Sequence, residues 1–164
     1  YANSILPEAM LFAGLSTGSE LYKDIAKNSF DFLLSLTFKE DQIKVISNQG
    51  WYHRGKSVNQ FGEQPIDVAY TILALQTFYQ VYEDETYRNK MRIAFDWFLG
   101  KNHLHQIVYN PKTGGCYDGL EQHHVNLNQG AESTISYLLS RLAMEKVSNS
   151  IKEMEFYEEV FQNK

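Results

Sequence analysis

Apolar positions along the chain fall into two alternating kinds of helical pattern. Residues 65–82 place Ile66, Ala69, Ile72, Leu73, Leu75, Phe78 and Tyr79 around most of a helical circumference, which is the pattern of a buried helix. Pro65 opens it, at a position where a missing N–H does no harm. Residues 84–99 differ: Tyr87, Met91, Ala94, Phe95 and Phe98 form one stripe, while Arg88, Lys90 and Arg92 remain for water. Gly100 reads as the C-cap of that helix. Residues 19–36 and 149–161 show a looser form of the two-sided pattern, and residues 7–15 and 131–146 read as further first helices.

The alternation has a fixed period. Ser19-Glu20-Leu21-Tyr22-Lys23 returns as Asp84-Glu85-Thr86-Tyr87-Arg88, an offset of 65. The same offset pairs Phe30-Asp31-Phe32 with Phe95-Asp96-Trp97, Leu34 with Leu99, Gly50 with Gly115, Tyr52 with Tyr117 and Gln64 with Gln129, while the carboxylate of Asp67 falls on Glu132. Eight identities in one ungapped register mark an internal repeat. The units are expected at about 1–64, 65–129 and 130–164, with Asn149 as the N-cap of the last helix.

Each unit reads as an αα-hairpin followed by a long loop, residues 38–64 and 101–129. Both loops are expected to carry short β-hairpins. In the second, residues 106–109 would pair with Cys116-Tyr117 across Asn110-Pro111 and Gly114-Gly115; in the first, residues 42–46 would pair with Trp51-Tyr52. An α-solenoid and an α/α toroid both fit buried and amphipathic helices in alternation. Solenoid connections are short, whereas loops this long in a compact domain are commonly functional. The expectation is a single all-α domain, a partial α/α toroid of six-hairpin type, with decorated loops at one end.

Composition narrows the function. The 164 residues carry a formal net charge of −5 and no basic run, which argues against nucleic acid or an anionic membrane surface. The longest nearly apolar run, residues 69–75, is too short to span a bilayer. One cysteine, Cys116, excludes an internal disulfide framework and a multi-cysteine zinc site. The chain opens on Tyr1-Ala2-Asn3 with neither an initiator methionine nor a signal peptide. It is therefore expected to be part of a longer, cytoplasmic protein.

Both long loops lead into the N-terminus of a first helix, so side chains just before those termini should gather at one end of the fold. The first loop offers Trp51, Tyr52, His53, Arg54, Gln64 and Asp67. The second offers His103, His105, Tyr117, Asp118, Glu121, His123, His124, Asn126, Asn128, Gln129 and Glu132. Aromatic faces stack on sugar C–H faces, and amides and carboxylates bond hydroxyls, so the set suits a polyhydroxylated ligand. Each also has a structural reading: Trp51 or Tyr117 can seal a loop, and Asp67 or Glu132 can serve a helix dipole from the first turn. Paired carboxylates also perform glycosidic chemistry, and Asp118, Glu121 and Glu132 are the trial set for catalysis.

Metal and cofactor chemistry find less support. His103, His105, His123 and His124 match no zinc-binding spacing, and hydrogen-bonding or packing roles account for them better. No nucleophile elbow and no phosphate-cradling glycine-rich loop is present, so no cofactor is expected. Cys116, between Gly115 and Tyr117, reads as a small packed thiol.

The stretch NHLHQIVYNPKTGGCYDGLEQHHVNLNQGAESTISYLLSRL, residues 102–142, resembles the C-terminal helical region of bacterial group 1 glycosyltransferase-like proteins, and GEQPIDVAYTILAL, residues 62–75, resembles an upstream block of the same region. The resemblance implies a carbohydrate context and an N-terminal nucleotide-sugar transferase domain outside this chain. It supplies no catalytic residue. A full toroid has about six hairpins, and this chain has room for roughly three. Its ring ends would therefore be exposed, and self-association or a partner domain is expected. Three functions follow: a carbohydrate-binding accessory domain with Trp51, Tyr52, His53, Asp67, Tyr117, His124, Asn128 and Gln129 as contacts; a glycoside hydrolase or sugar epimerase; or a non-catalytic repeat for assembly.

Overall fold

The computed structural model describes the backbone of residues 2–162 and the side chains of residues 2–149. These hold five helices and two small antiparallel sheets. Helix α1 spans Ile5–Thr17 and α2 spans Glu20–Thr37, with the two-stranded sheet β1 (Phe38–Lys39) and β2 (Gln42–Ile43) directly after it. Helices α3 (Pro65–Tyr82) and α4 (Glu85–Asp96) follow, then β3 (Gly119–Leu120), β4 (Val125–Asn126) and α5 (Ala131–Gln162).

The hairpin turns are built alike. Gly18 at φ 70° and Glu83 at φ 53° both take the left-handed conformation that ends a helix. The next residue caps the following helix: the Ser19 hydroxyl accepts the Tyr22 N–H, and the Asp84 carboxylate accepts the Thr86 N–H. Two-residue links of this kind fold α1 back on α2 and α3 back on α4.

Helix α3 lies between α1 and α5. Of the apolar positions the sequence places around it, Ala69, Ile72, Leu75 and Phe78 are out of water and Ile66, Leu73 and Tyr79 are partly buried; Val68 and Ala74 are buried as well. Polar contacts fix its register on both sides. Ser4 Oγ and Thr71 Oγ1 stand 2.9 Å apart across α1 and α3, and Gln76 Nε2 donates to the Ala143 carbonyl of α5 at 3.3 Å. Phe30, Phe78 and Tyr87 tie both hairpins together, Phe30 and Phe78 with ring centroids 4.4 Å apart. Truncating such a ring to alanine typically costs about 3–5 kcal/mol.

Several expectations need correction. No break occurs before Asn149, because α5 runs on through it. Nothing from Ala131 onward is glycine or proline, so no residue stops the helix. The two-sided pattern expected over 149–161 falls largely on side chains outside the described residues. In the first loop, residues 42–43 pair not with Trp51-Tyr52 but with 38–39, Phe38 opposite Ile43. The two-residue turn at Glu40-Asp41, Glu40 at φ 54°, closes a far shorter loop and so loses less chain entropy. The second-loop hairpin forms around a Tyr109–Cys116 bridge, with Asn110 N–H on the Gly115 carbonyl at 2.8 Å. The β3–β4 pair lies on residues the pattern left as loop. Helix α4 ends at Asp96, and Gly100, at φ 105°, lies in the turn that follows.

Candidate functional site

The two long loops are joined where they meet the first turn of α3. Glu63 forms an antiparallel bridge with Leu120: the Glu63 N–H donates to the Leu120 carbonyl at 3.0 Å, and the Leu120 N–H returns to the Glu63 carbonyl at 2.9 Å. A Cβ at Gly119 would collide with the Glu63 carbonyl, so glycine is needed for this approach. The Glu63 side chain is buried. One carboxylate oxygen accepts the Trp97 indole N–H at 3.0 Å, and the other lies 3.0 Å from His103 Nδ1. His103 Nε2 lies 2.9 Å from the Glu121 carbonyl oxygen. Hydrogen bonding to Glu63 first, then to the Glu121 carbonyl, raises the His103 pKa against the opposing effect of burial. The protonated ring donates to both oxygens and links the first loop to the second.

Above this joint lies a cleft of about 250 Å³, open to solvent. Asn48, Glu63 and Gln64 line it from the first loop, Asp118, Glu121 and Asn126 from the second, and Glu132 and Ser133 from α5. The Gln64 Oε1 atom is buried and has no hydrogen-bond partner among the described residues. Gln49 Nε2 donates to Glu121 Oε2 at 2.6 Å and so ties the first loop to the second.

Asp118 organises the start of α5. Its carboxylate accepts the Gly130 N–H at 2.8 Å, the Ser133 hydroxyl at 2.8 Å and the Asn128 side-chain amide. Burial alone would raise its pKa, but these three donors together outweigh burial and hold it below the ordinary carboxylate value. The geometry is that of a helix cap delivered from a distance. Asn128 therefore serves Asp118.

The remaining sequence candidates scatter. Trp51, Tyr52 and His53 lie on an exposed stretch of the first loop and do not line the cleft, with Trp51 at φ 56°. Asp67 is buried beside α1 and accepts the Ala2 N–H at 2.6 Å. Burial pushes its carboxyl up, and the charge of Glu132 adds to that rise. The Tyr117 hydroxyl accepts from Asn110 Nδ2 at 3.0 Å within its own hairpin. Gln129 Oε1 accepts the Thr113 hydroxyl at 2.7 Å and packs on Gly115. His124 is exposed between β3 and β4. Cys116 is buried, its thiol pushed up to about 12 by burial and then by Asp118, so it stays a neutral packed thiol.

Of the trial carboxylates, Asp118, Glu121 and Glu132 all reach the cleft, and Asp118 is the one committed to capping. Sequence reasoning missed Glu63. Its signal was an acidic residue two places before the Pro65 that opens a buried helix, and nothing in that pattern names Trp97 and His103 as its partners. Among the described residues, no three His, Cys, Asp or Glu side chains converge to hold a metal ion, and no helix is long and apolar enough to cross a membrane. No protein-family model matches the chain, and no curated protein matches it.

Proposed function

We propose that this domain is the carbohydrate-binding accessory part of a glycosyltransferase-like protein, holding an acceptor glycan in the cleft while a separate domain transfers the sugar. The observation that carries the reading is a polar cleft at the junction of both long loops, lined by the amides of Asn48, Gln64 and Asn126 and the carboxylates of Glu121 and Glu132. Sugar hydroxyls donate to carboxylates and both donate to and accept from amides. Glu121, Glu132, Asn48 and Asn126 bond further hydroxyls, while Asp118 and Glu63 hold the walls. The link from Gln49 to Glu121 brings the chain just before Trp51 to the rim, where Trp51 and Tyr52 supply stacking faces.

The same proposal takes the helices as part of an α/α toroid. It is supported by matching turns at Gly18 and Glu83, matching caps at Ser19 and Asp84, and interhelix bonds joining residues 67 apart in both α1–α3 and α3–α5. The transferase domain and the cytoplasmic location belong to the proposal too.

An amide-resolved NMR titration with mono- and oligosaccharides tests it. Shifts at Gln64, Glu121 and Glu132, lost in Glu132→Gln, are the expected result. No shift at about 10 mM sugar, a concentration that reveals even millimolar affinity, overturns it. The presence of both Glu121 and Glu132 in the cleft favours, as a second reading, glycosidic acid/base chemistry. That reading requires turnover of a bound sugar, abolished by Glu121→Gln with binding retained.

A further inference from the structure

The cleft between the loops carries carboxylates and no basic side chain among its described lining. A second hollow, on the first loop, has the opposite chemistry. It measures about 220 Å³ and lies where the end of α2, the β1–β2 hairpin and residues 57–60 meet. Lys39 and Lys44 line it together with Ser35, Ser57, Asn59 and Gln60, and no Asp or Glu does among the described residues. The sequence is biased in the same sense. Residues 42–62 hold Lys44, Arg54 and Lys56 and no acidic residue, although acids outnumber bases over the chain.

Strand pairing brings the two lysines together. Lys39 lies opposite Gln42, and the Lys44 N–H donates to the Thr37 carbonyl at 2.7 Å. Side chains alternate along a strand, so Lys39, Gln42 and Lys44 share one face of the hairpin while Phe38 and Ile43 take the other. Diagonal neighbours across such a pair stand about 7–8 Å apart, close enough for long side chains to converge on one ion. Neither ammonium is engaged by a carboxylate, whereas Lys23, Lys27 and Lys101 each sit on an Asp or Glu. Among the described residues no hydrogen bond or ion pair reaches Lys39 or Lys44 Nζ, and the Ser57 hydroxyl has no partner either. Lys44 Nζ stands 4.7 Å from the centre of the Phe61 ring. The Leu34 and Thr37 carbonyls that end α2 are already met by the Phe38 and Lys44 N–H groups, so the ammonium groups are not spent there.

We infer that this groove binds a phosphoryl group, held between the Lys39 and Lys44 ammonium groups with the Ser57 hydroxyl as a further donor. Separate point charges and a hydroxyl suit a tetrahedral oxyanion whose oxygens face several directions. A planar carboxylate is better matched by the arginine fork, and the described lining has no arginine. The volume falls below the roughly 300–1,000 Å³ of pockets that bury drug-sized ligands. The groove therefore takes the charged group of its ligand and leaves the remainder outside. None of this depends on the glycan reading, since the two sites share no lining residue.

An amide-resolved NMR titration of the chain with sodium phosphate, at constant ionic strength, tests the inference. Shifts at Lys39, Lys44 and residues 57–60 that saturate by about 20 mM are expected, a range that captures millimolar affinity. Lys39→Gln and Lys44→Gln should each weaken binding by about tenfold, as loss of one hydrogen bond to a charged group does. Unchanged amide positions elsewhere and an unchanged melting temperature verify that both variants are folded. No shift at these residues overturns the inference. So does an equal response to acetate, or phosphate binding that survives the combined Lys39→Gln and Lys44→Gln change. Two further probes separate the sources of the group. Tighter binding of glycerol phosphate than of inorganic phosphate assigns a soluble phosphomonoester. Cosedimentation with vesicles of equal parts phosphatidylcholine and phosphatidic acid, lost in the lysine variants, assigns a lipid headgroup. The sugar titration is read at Gln64, Glu121 and Glu132, so either reading can fail alone.

Discussion

The two long loops each follow a helical hairpin and lead into the next helix, and they do so differently. At matched positions the first loop has Trp51, Tyr52 and His53, and the second has Cys116, Tyr117 and Asp118. Trp51 is 45% exposed and Cys116 is fully buried. His53 stands in water, whereas Asp118 reaches back to cap α5. Helix α3 has no such cap: Gln64 makes no capping hydrogen bond, and Pro65 removes one of the donors that would need it. Both loops reach the core, the first through Ile43 and Val45 and the second through Val108, Cys116, Leu120 and Val125, but residues 48–57 of the first stand exposed. The two hairpins share their turn and cap geometry while the loops that follow them differ in burial, although both loops contribute residues to the cleft.

The largest expected effect comes from cutting the joint between the loops. Glu63→Ala leaves the Trp97 indole N–H and the His103 ring without their buried partner, and urea denaturation should show a loss of about 3 kcal/mol. Asp118→Ala should follow at about 1–2 kcal/mol, the usual value of an N-cap carboxylate, with hydrogen exchange accelerating in the first turn of α5. A loss there as small as for His53→Ala would erase the contrast between the loops.

The third effect is one of pH. The folded pKa of His103 is raised above its ordinary value of 6.5, so its bonds to Glu63 and the Glu121 carbonyl stabilise the fold fully below that value. Their contribution is lost as pH rises through the folded pKa. The denaturation midpoint should therefore fall on the alkaline side of 6.5 in the wild type and lose that component in His103→Gln. Asp118 has the opposite sign: its folded pKa is depressed below 3.8, so its contribution is present above that value and is lost as pH falls through the folded pKa. The smallest expected effect is Trp51→Ala, within about 0.5 kcal/mol on stability, as for an exposed position. A large loss would make Trp51 a loop seal instead of an exposed loop residue.

The helices were legible because their signals are local. A buried circumference over 65–82, a stripe over 84–99 and a repeated turn chemistry each need only near neighbours in the chain. Loop pairing was less legible. The first hairpin closed around Glu40-Asp41 because residues 38–39 lay nearer than Trp51-Tyr52, and short-range closure loses less entropy. In the site, Glu121 and Glu132 were legible as cleft carboxylates because both lie close to the start of α5. Asp118 was legible as a carboxylate in the right place but not as a cap, since its donors lie 10 to 15 residues away. Glu63 was not legible at all: its partners Trp97 and His103 are 34 and 40 residues distant.

The sequence by itself determined helices α1 to α4, the turns that join them in pairs and the placement of polar side chains ahead of α3 and α5, because periodicity, caps and turn residues act over a few residues. The tertiary structure alone decided which carboxylates support and which face the cleft. It also decided that Glu63, Trp97 and His103 would bind the loops together. Those roles depend on burial and on donors brought in from distant segments, and the cost of leaving a buried charge unpaired is settled only once the chain has packed.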